Sequence, residues 1–197
     1  MRKVNKMKNH VRSGFTLLEI VLTLAILLIL LSVVFSTFYI VNASHANIAV
    51  INDAKDFGSI NMQAIENLTV NANSIKISSD PTLVAGDAEY AAIYFVTDPT
   101  TKESILYYHK DGSAAKRAFD LTQYTIDGGA KKKWSVQATF TNPSKTGIVT
   151  VKLDIIDNST GTVYYTLQKD LLFLNVKSNT DITGTSGSVI KIKAYTP

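Results

Sequence analysis

The sequence predicts an α+β fold: a long N-terminal helix, membrane-spanning in its first half, packed on an antiparallel β-sheet head. Three observations carry this. Residues 15–41 read FTLLEIVLTLAILLILLSVVFSTFYIV and are almost wholly apolar. Residues 42–69 carry an amphipathic helical stripe, and no proline interrupts 15–70. From residue 71 the apolar spacing changes from helical to alternating.

Composition sets the outer limits. A chain of 197 residues suits one domain with an appendage. Apolar residues at 46% and charged residues at 18% exclude a disordered, charge-rich chain. The absence of cysteine excludes a disulfide scaffold, thiol catalysis and a cysteine-ligated zinc. The formal charge of +4 raises nucleic acid or an anionic membrane as a partner.

That charge is unevenly spread. Residues 1–14 hold Arg2, Lys3, Lys6, Lys8 and Arg12, and no acid. They read as a cytoplasmic leader, because basic flanks stay on the inner side of a membrane. Without them the side-chain balance falls from +4 to −1, so nucleic acid is not expected as a partner.

Residues 15–41 then read as a single membrane span. About 20 apolar residues cross a bilayer's hydrocarbon core. A buried core helix rarely runs this long without a polar face. A secretory signal peptide is the competing reading, with Val41-Asn42-Ala43 as its cleavage site. The apolar stretch exceeds the usual length for that role, and a signal peptide gives no reason for Glu19, the one charge within it.

Gly14-Phe15-Thr16-Leu17-Leu18-Glu19, behind a basic leader and ahead of a long apolar helix, resembles the class III signal of type IV prepilins and pseudopilins. That family usually has Lys or Arg directly before the glycine. Here Ser13 intervenes, with Arg12 one place earlier. The resemblance implies a pilin-like fold with no enzymatic activity. It implies cleavage by a membrane-embedded prepilin peptidase between Gly14 and Phe15, and N-methylation of Phe15. It also implies that Glu19 pairs with the terminal amine of a neighbouring subunit during assembly. Opposite charges attract strongly in low dielectric, and either one alone there is costly. The implied partners are the membrane, the peptidase, other pilin subunits in a homo- or heteropolymer, and assembly machinery. The head would lie outside the cytoplasm and be exported into a surface filament.

Residues 42–70 are expected to continue the helix. Val50, Ala54, Phe57, Ala64, Ile65 and Leu68 form its apolar stripe, and Gly58 is its expected weak point. Residues 71–197 are expected to form the β-rich head. Trp134, Val136, Ala138 and Phe140 alternate with polar residues, as do Val149, Val151, Leu153 and Ile155. Val163, Tyr165 and Leu167 alternate after the turn at 157–161, giving a hairpin. Further strands are expected near 75–79, 90–97, 103–109, 171–176 and 188–194. Residues 177–188 are polar and glycine-rich and are expected to be a flexible loop. Asp127-Gly128-Gly129 and Asn142-Pro143 punctuate the series. The lack of a C-terminal disulfide makes the head more similar to minor-pilin or pseudopilin heads of Gram-positive bacteria.

No cofactor or metal is expected. His10, His45 and His109 lack metal spacing, and no P-loop, dinucleotide fingerprint or nucleophile elbow appears. Asp154, Asp157 and Asn158 could hold calcium at a turn, but turn residues need no ion. Lys131-Lys132-Lys133-Trp134 could grip single-stranded DNA; a solvated loop before a buried Trp134 is the plainer reading. The other functional reading is a monomeric, single-pass, membrane-anchored adhesin-like domain.

Overall fold

The computed structural model describes residues 16–83, 89–99, 104–110, 114–118, 134–145 and 147–194. The chain divides into two units, Met1–Ile48 and Ala49–Pro197, which are taken separately below. One helix, α1 (Leu17–Thr69), contributes to both.

In the first unit every described residue is solvent-exposed. Leu17 is 83% exposed and Phe35 67%, with leucine, isoleucine and valine between them similarly bare. Leucine-rich sequence favours the helix. Three of its hydroxyls bond back to the preceding turn. Thr23 Oγ1 donates to Glu19 O at 2.8 Å, Ser32 Oγ to Ile29 O at 2.7 Å and Thr37 Oγ1 to Val33 O at 2.9 Å. Such internal satisfaction lets a hydroxyl sit in an apolar medium.

In the second unit the end of α1 is amphipathic. Ala54, Phe57, Gly58, Asn61, Met62, Ile65 and Thr69 are buried. Val50, Ala64 and Leu68 pack against the same core. The predicted stripe is therefore the core face. Gly58 differs from expectation: it marks a close approach. A Cβ there would lie 3.3 Å from Ile155 Cγ1 and 3.5 Å from Tyr165 Cδ1. Glycine lets the helix settle onto the sheet beneath it.

The strands are β1 (Ala72–Ser78), β2 (Tyr90–Thr97), β3 (Ser104–Lys110), β4 (Lys116–Arg117), β5 (Trp134–Thr141), β6 (Ile148–Asp157), β7 (Val163–Leu172), β8 (Ile182–Thr183), β9 (Ser186–Gly187) and β10 (Val189–Ala194). They form two sheets, ordered β4-β3-β2-β10-β1-β8 and β7-β6-β5-β9. The expected α+β head of antiparallel strands is present; it is divided between two sheets, and β1 and β8 add one parallel pair. β10 inserts between β1 and β2, with Ile192 opposite Ile75 and Ile190 opposite both Ile77 and Ile93. Alternation reports which face of a strand is buried, and it is silent on which strand lies alongside.

The predicted hairpin is present as β6–β7. Leu153 faces Leu167, and Ile155 faces Tyr165. Its turn is closed by Gly161 N donating to Asp157 O at 2.8 Å and Ser159 N donating to Asp157 Oδ1 at 2.7 Å. Gly161 supplies the left-handed backbone the turn needs, at φ 71°. The strand expected at 171–176 is instead the end of β7, which stops at Leu172. The chain turns there because Phe173 swings into the core and its N–H donates to Gly147 O at 2.7 Å.

Residues 177–188 contain more order than a flexible loop. A turn of 3-10 helix (Asn179–Asp181) leads into β8, which joins the six-stranded sheet, and β9, which joins the four-stranded one. The segment clasps the two sheets together. Its glycines serve close approach: a Cβ on Gly184 would fall 2.2 Å from Ile77 O, and one on Gly187 2.2 Å from Ser78 O. One continuous apolar cluster joins the second half of α1 to both sheets, with Phe140, Ile155, Ile65, Ile75 and Ile190 fully buried.

Candidate assembly site at the head of the apolar helix

The sequence singled out Gly14, Phe15 and Glu19. Gly14 and Phe15 lie outside the described residues. Glu19 lies in the first turn of α1. The structure adds Thr16 as its partner, a residue the sequence reading used only as part of a motif.

Thr16 precedes the first helical residue and is the N-cap. Its backbone N–H donates to Glu19 Oε2 at 2.9 Å, and its hydroxyl donates to the same oxygen at 3.1 Å. In return Glu19 N approaches Thr16 Oγ1 at 3.3 Å. This reciprocal arrangement is a capping box, which satisfies N–H groups a helix start otherwise leaves bare. The negative carboxylate also suits the positive end of the helix dipole. The signal for it was present, since Thr16-Leu17-Leu18-Glu19 fits the T-x-x-E spacing of such boxes.

The site therefore presents one carboxylate, already engaged by its own chain, on an exposed apolar helix. Its two acceptor oxygens leave capacity for a further donor. Among the described residues no cation lies beside it, and no cluster of His, Asp or Glu could hold a metal ion. Among the same residues α1 is long and apolar enough to cross a membrane.

The other sequence candidates fall elsewhere. Lys131–Lys133 lie outside the described residues. Trp134 is buried and packs edge-on against Tyr164 at 5.6 Å, so it serves the core. Asp157 is taken up by its turn. Asp154 accepts from Lys152 Nζ at 2.7 Å and Thr166 Oγ1 at 2.6 Å. His45 is exposed on α1, and His109 is half-buried on β3.

Residues 9–35 match the family described as the prokaryotic N-terminal methylation motif. No curated protein matches the chain. Among solved structures it is similar to the PilB minor pilin from Streptococcus sanguinis. For that protein the TM-score is 0.39 at 15% identity, over 69% of this chain and 33% of that one. A point mutant of the same protein gives a TM-score of 0.42 at 13% identity, over the same shares. The chain thus spans about a third of the length of those structures. On residues 9–35, across the start of its apolar helix, this chain carries the prokaryotic N-terminal methylation motif.

Proposed function

We propose that the chain is a structural subunit of a type IV pilus or related pseudopilus, with a non-catalytic role. A prepilin peptidase cuts after Gly14, Phe15 becomes the N-methylated terminus, and dedicated machinery draws the subunit from the membrane into a polymer. The observation that carries this reading is the methylation motif at residues 9–35, set at the start of an apolar helix whose described residues are all exposed from Thr16 to Ala49. Such a surface needs lipid before assembly and neighbouring helices after it.

Each part then has a physical task. The basic leader holds residues 1–14 in the cytoplasm, and its removal frees a cationic amine. Glu19 accepts that amine from a neighbour, using the oxygen capacity that Thr16 leaves. The pair acts as a registry device, since two opposite charges in a low dielectric are tolerated only together. The head lies outside the cytoplasm and lines the filament surface.

Intact-mass spectrometry of the protein from its native host tests the reading. A chain beginning at N-methyl-Phe15 supports it. A chain beginning at Met1 favours a monomeric anchored domain, and one beginning at Ser44 favours an ordinary signal peptide. Either of these overturns it.

A further inference from the structure

The clasp between the sheets leaves one strand edge open. β9 pairs with β5 at Phe140 and Thr141, and Ser188 then carries the chain into β10 of the other sheet. On its other side β5 is paired with β6 from Trp134 to Thr141. Among the described residues no strand pairs with the β9 side of β5 between Trp134 and Thr139.

The pairing identifies the main-chain groups on that open edge. Asn142 N donates to Thr185 O at 2.9 Å, so Asn142 faces β9. Main-chain groups alternate sides along a strand, so Phe140, Ala138 and Val136 face the same way. The N–H and C=O of Val136 and Ala138 therefore point away from β6. Both residues are buried. A buried main-chain polar group without a partner is costly, and an open edge is a template for another strand.

A slot of about 300 Å³ lies along this edge. Residues 135–138 line it together with Phe95 and Thr97 from the end of β2, Ile156 and Ser188. Half of these side chains are apolar, half carry a hydroxyl or an amide, and none is charged. Along β5 they alternate, with Val136 and Ala138 on the core side and Ser135 and Gln137 on the outer side.

We propose that β5 accepts an extended, uncharged segment of a partner protein in this slot, as an added strand. In strand addition the main-chain bonds supply affinity and alternate side chains supply selectivity. The unpaired groups of Val136 and Ala138 offer the first, and the alternating lining offers the second. The matching segment alternates aliphatic and hydroxyl side chains. A charged segment would lose hydration without meeting a counter-charge. The slot is at the small end of ligand sites, so it holds a single extended segment and not the edge of a second copy's sheet. The proposal concerns the head alone and stands or falls independently of filament assembly.

The test uses the full chain in neutral detergent and a fluorescent, end-blocked peptide of about six residues, alternating valine and threonine. Saturable binding by anisotropy is expected, with slowed amide exchange at Val136 and Ala138 by NMR. The same peptide N-methylated at alternate residues, on the edge meant for β5, should bind at least about tenfold more weakly. Ala138→Pro removes one N–H aimed into the slot and no bond to β6, and should weaken binding about tenfold. Should Ala138→Pro fail to give the parent's circular dichroism, Ser188→Tyr, which crowds the slot from an exposed position, is read in its place. Absence of saturable binding overturns the proposal. So does an N-methylated peptide that binds as tightly, or a folded variant that binds unchanged. Protection of the Val136 and Ala138 amides in the free chain also overturns it; protection lost on dilution would mark a second copy as the occupant.

Discussion

Thr16 and Glu19 hold each other across the first turn of α1, the backbone N–H of Thr16 on Glu19 Oε2 at 2.9 Å and Glu19 N on Thr16 Oγ1 at 3.3 Å. The one acid of the apolar segment thus completes the capping box of its own helix. It closes the helix start whether or not a neighbour is present.

This pairing separates two variants. Thr16→Val keeps the shape but removes the hydroxyl, and the loss of a cap costs about 1 kcal/mol. Faster hydrogen exchange at the amides of residues 17–19 is expected in detergent micelles. Glu19→Ala removes the cap and the proposed docking charge together. Membrane insertion should be unchanged and filament incorporation lost; sheared-filament yield measures the second, and normal yield would count against the assembly role.

Gly58 seats α1 on Ile155 and Tyr165. Gly58→Leu should lower head stability by about 1–3 kcal/mol, the usual cost of overfilling a packed contact. Urea unfolding followed by Trp134 fluorescence reads this, because Trp134 lies in the same apolar cluster.

The clasp between the sheets is sensitive at its glycines. Gly184 has φ 85° and no room for a Cβ against Ile77 O. Gly184→Ala combines backbone strain with a main-chain clash and should destabilise by about 3 kcal/mol or more. Gly161 is the control. It has φ 71°, yet nothing lies within 4 Å of its would-be Cβ. Gly161→Ala should cost only the strain, about 1–2 kcal/mol. If the two variants unfold at the same urea concentration, close approach is not what selects glycine at Gly184.

Acid should weaken the β6–β7 hairpin through Asp154. Burial disfavours its ionised form, but the Lys152 ammonium and the Thr166 hydroxyl more than offset this, so its pKa lies below the ordinary carboxylate value. A depressed pKa in the folded state contributes stability that is fully present above the unfolded value of about 3.9. That contribution is lost as pH falls through the lower folded value. Asp154→Asn should therefore flatten the acid limb of a stability–pH curve below about pH 4 and lower stability at neutral pH.

Much of the fold was legible because burial leaves a periodic trace. Val50, Ala54, Phe57, Ala64, Ile65 and Leu68 were spaced for one helical face and pack as one. Trp134, Val136, Ala138 and Phe140 alternated and are all buried on one side of β5. At the helix head, the T-x-x-E spacing also fits a capping box, which the motif reading passed over. Residues 177–188 were misread because glycine and serine signal freedom in isolation. In the fold they signal two backbones pressed together.

Local spacing alone accounts for the helix and its exposed apolar half, the motif that heads it, and the main hairpin. These rest on contacts between residues near in sequence, where spacing fixes geometry. Pairing across the fold is what set β10 between β1 and β2 and joined residues 182–187 to both sheets. Those depend on pairings between distant segments. No local period encodes a distant partner, because the register of such a pair is set by the fit of two surfaces across the core.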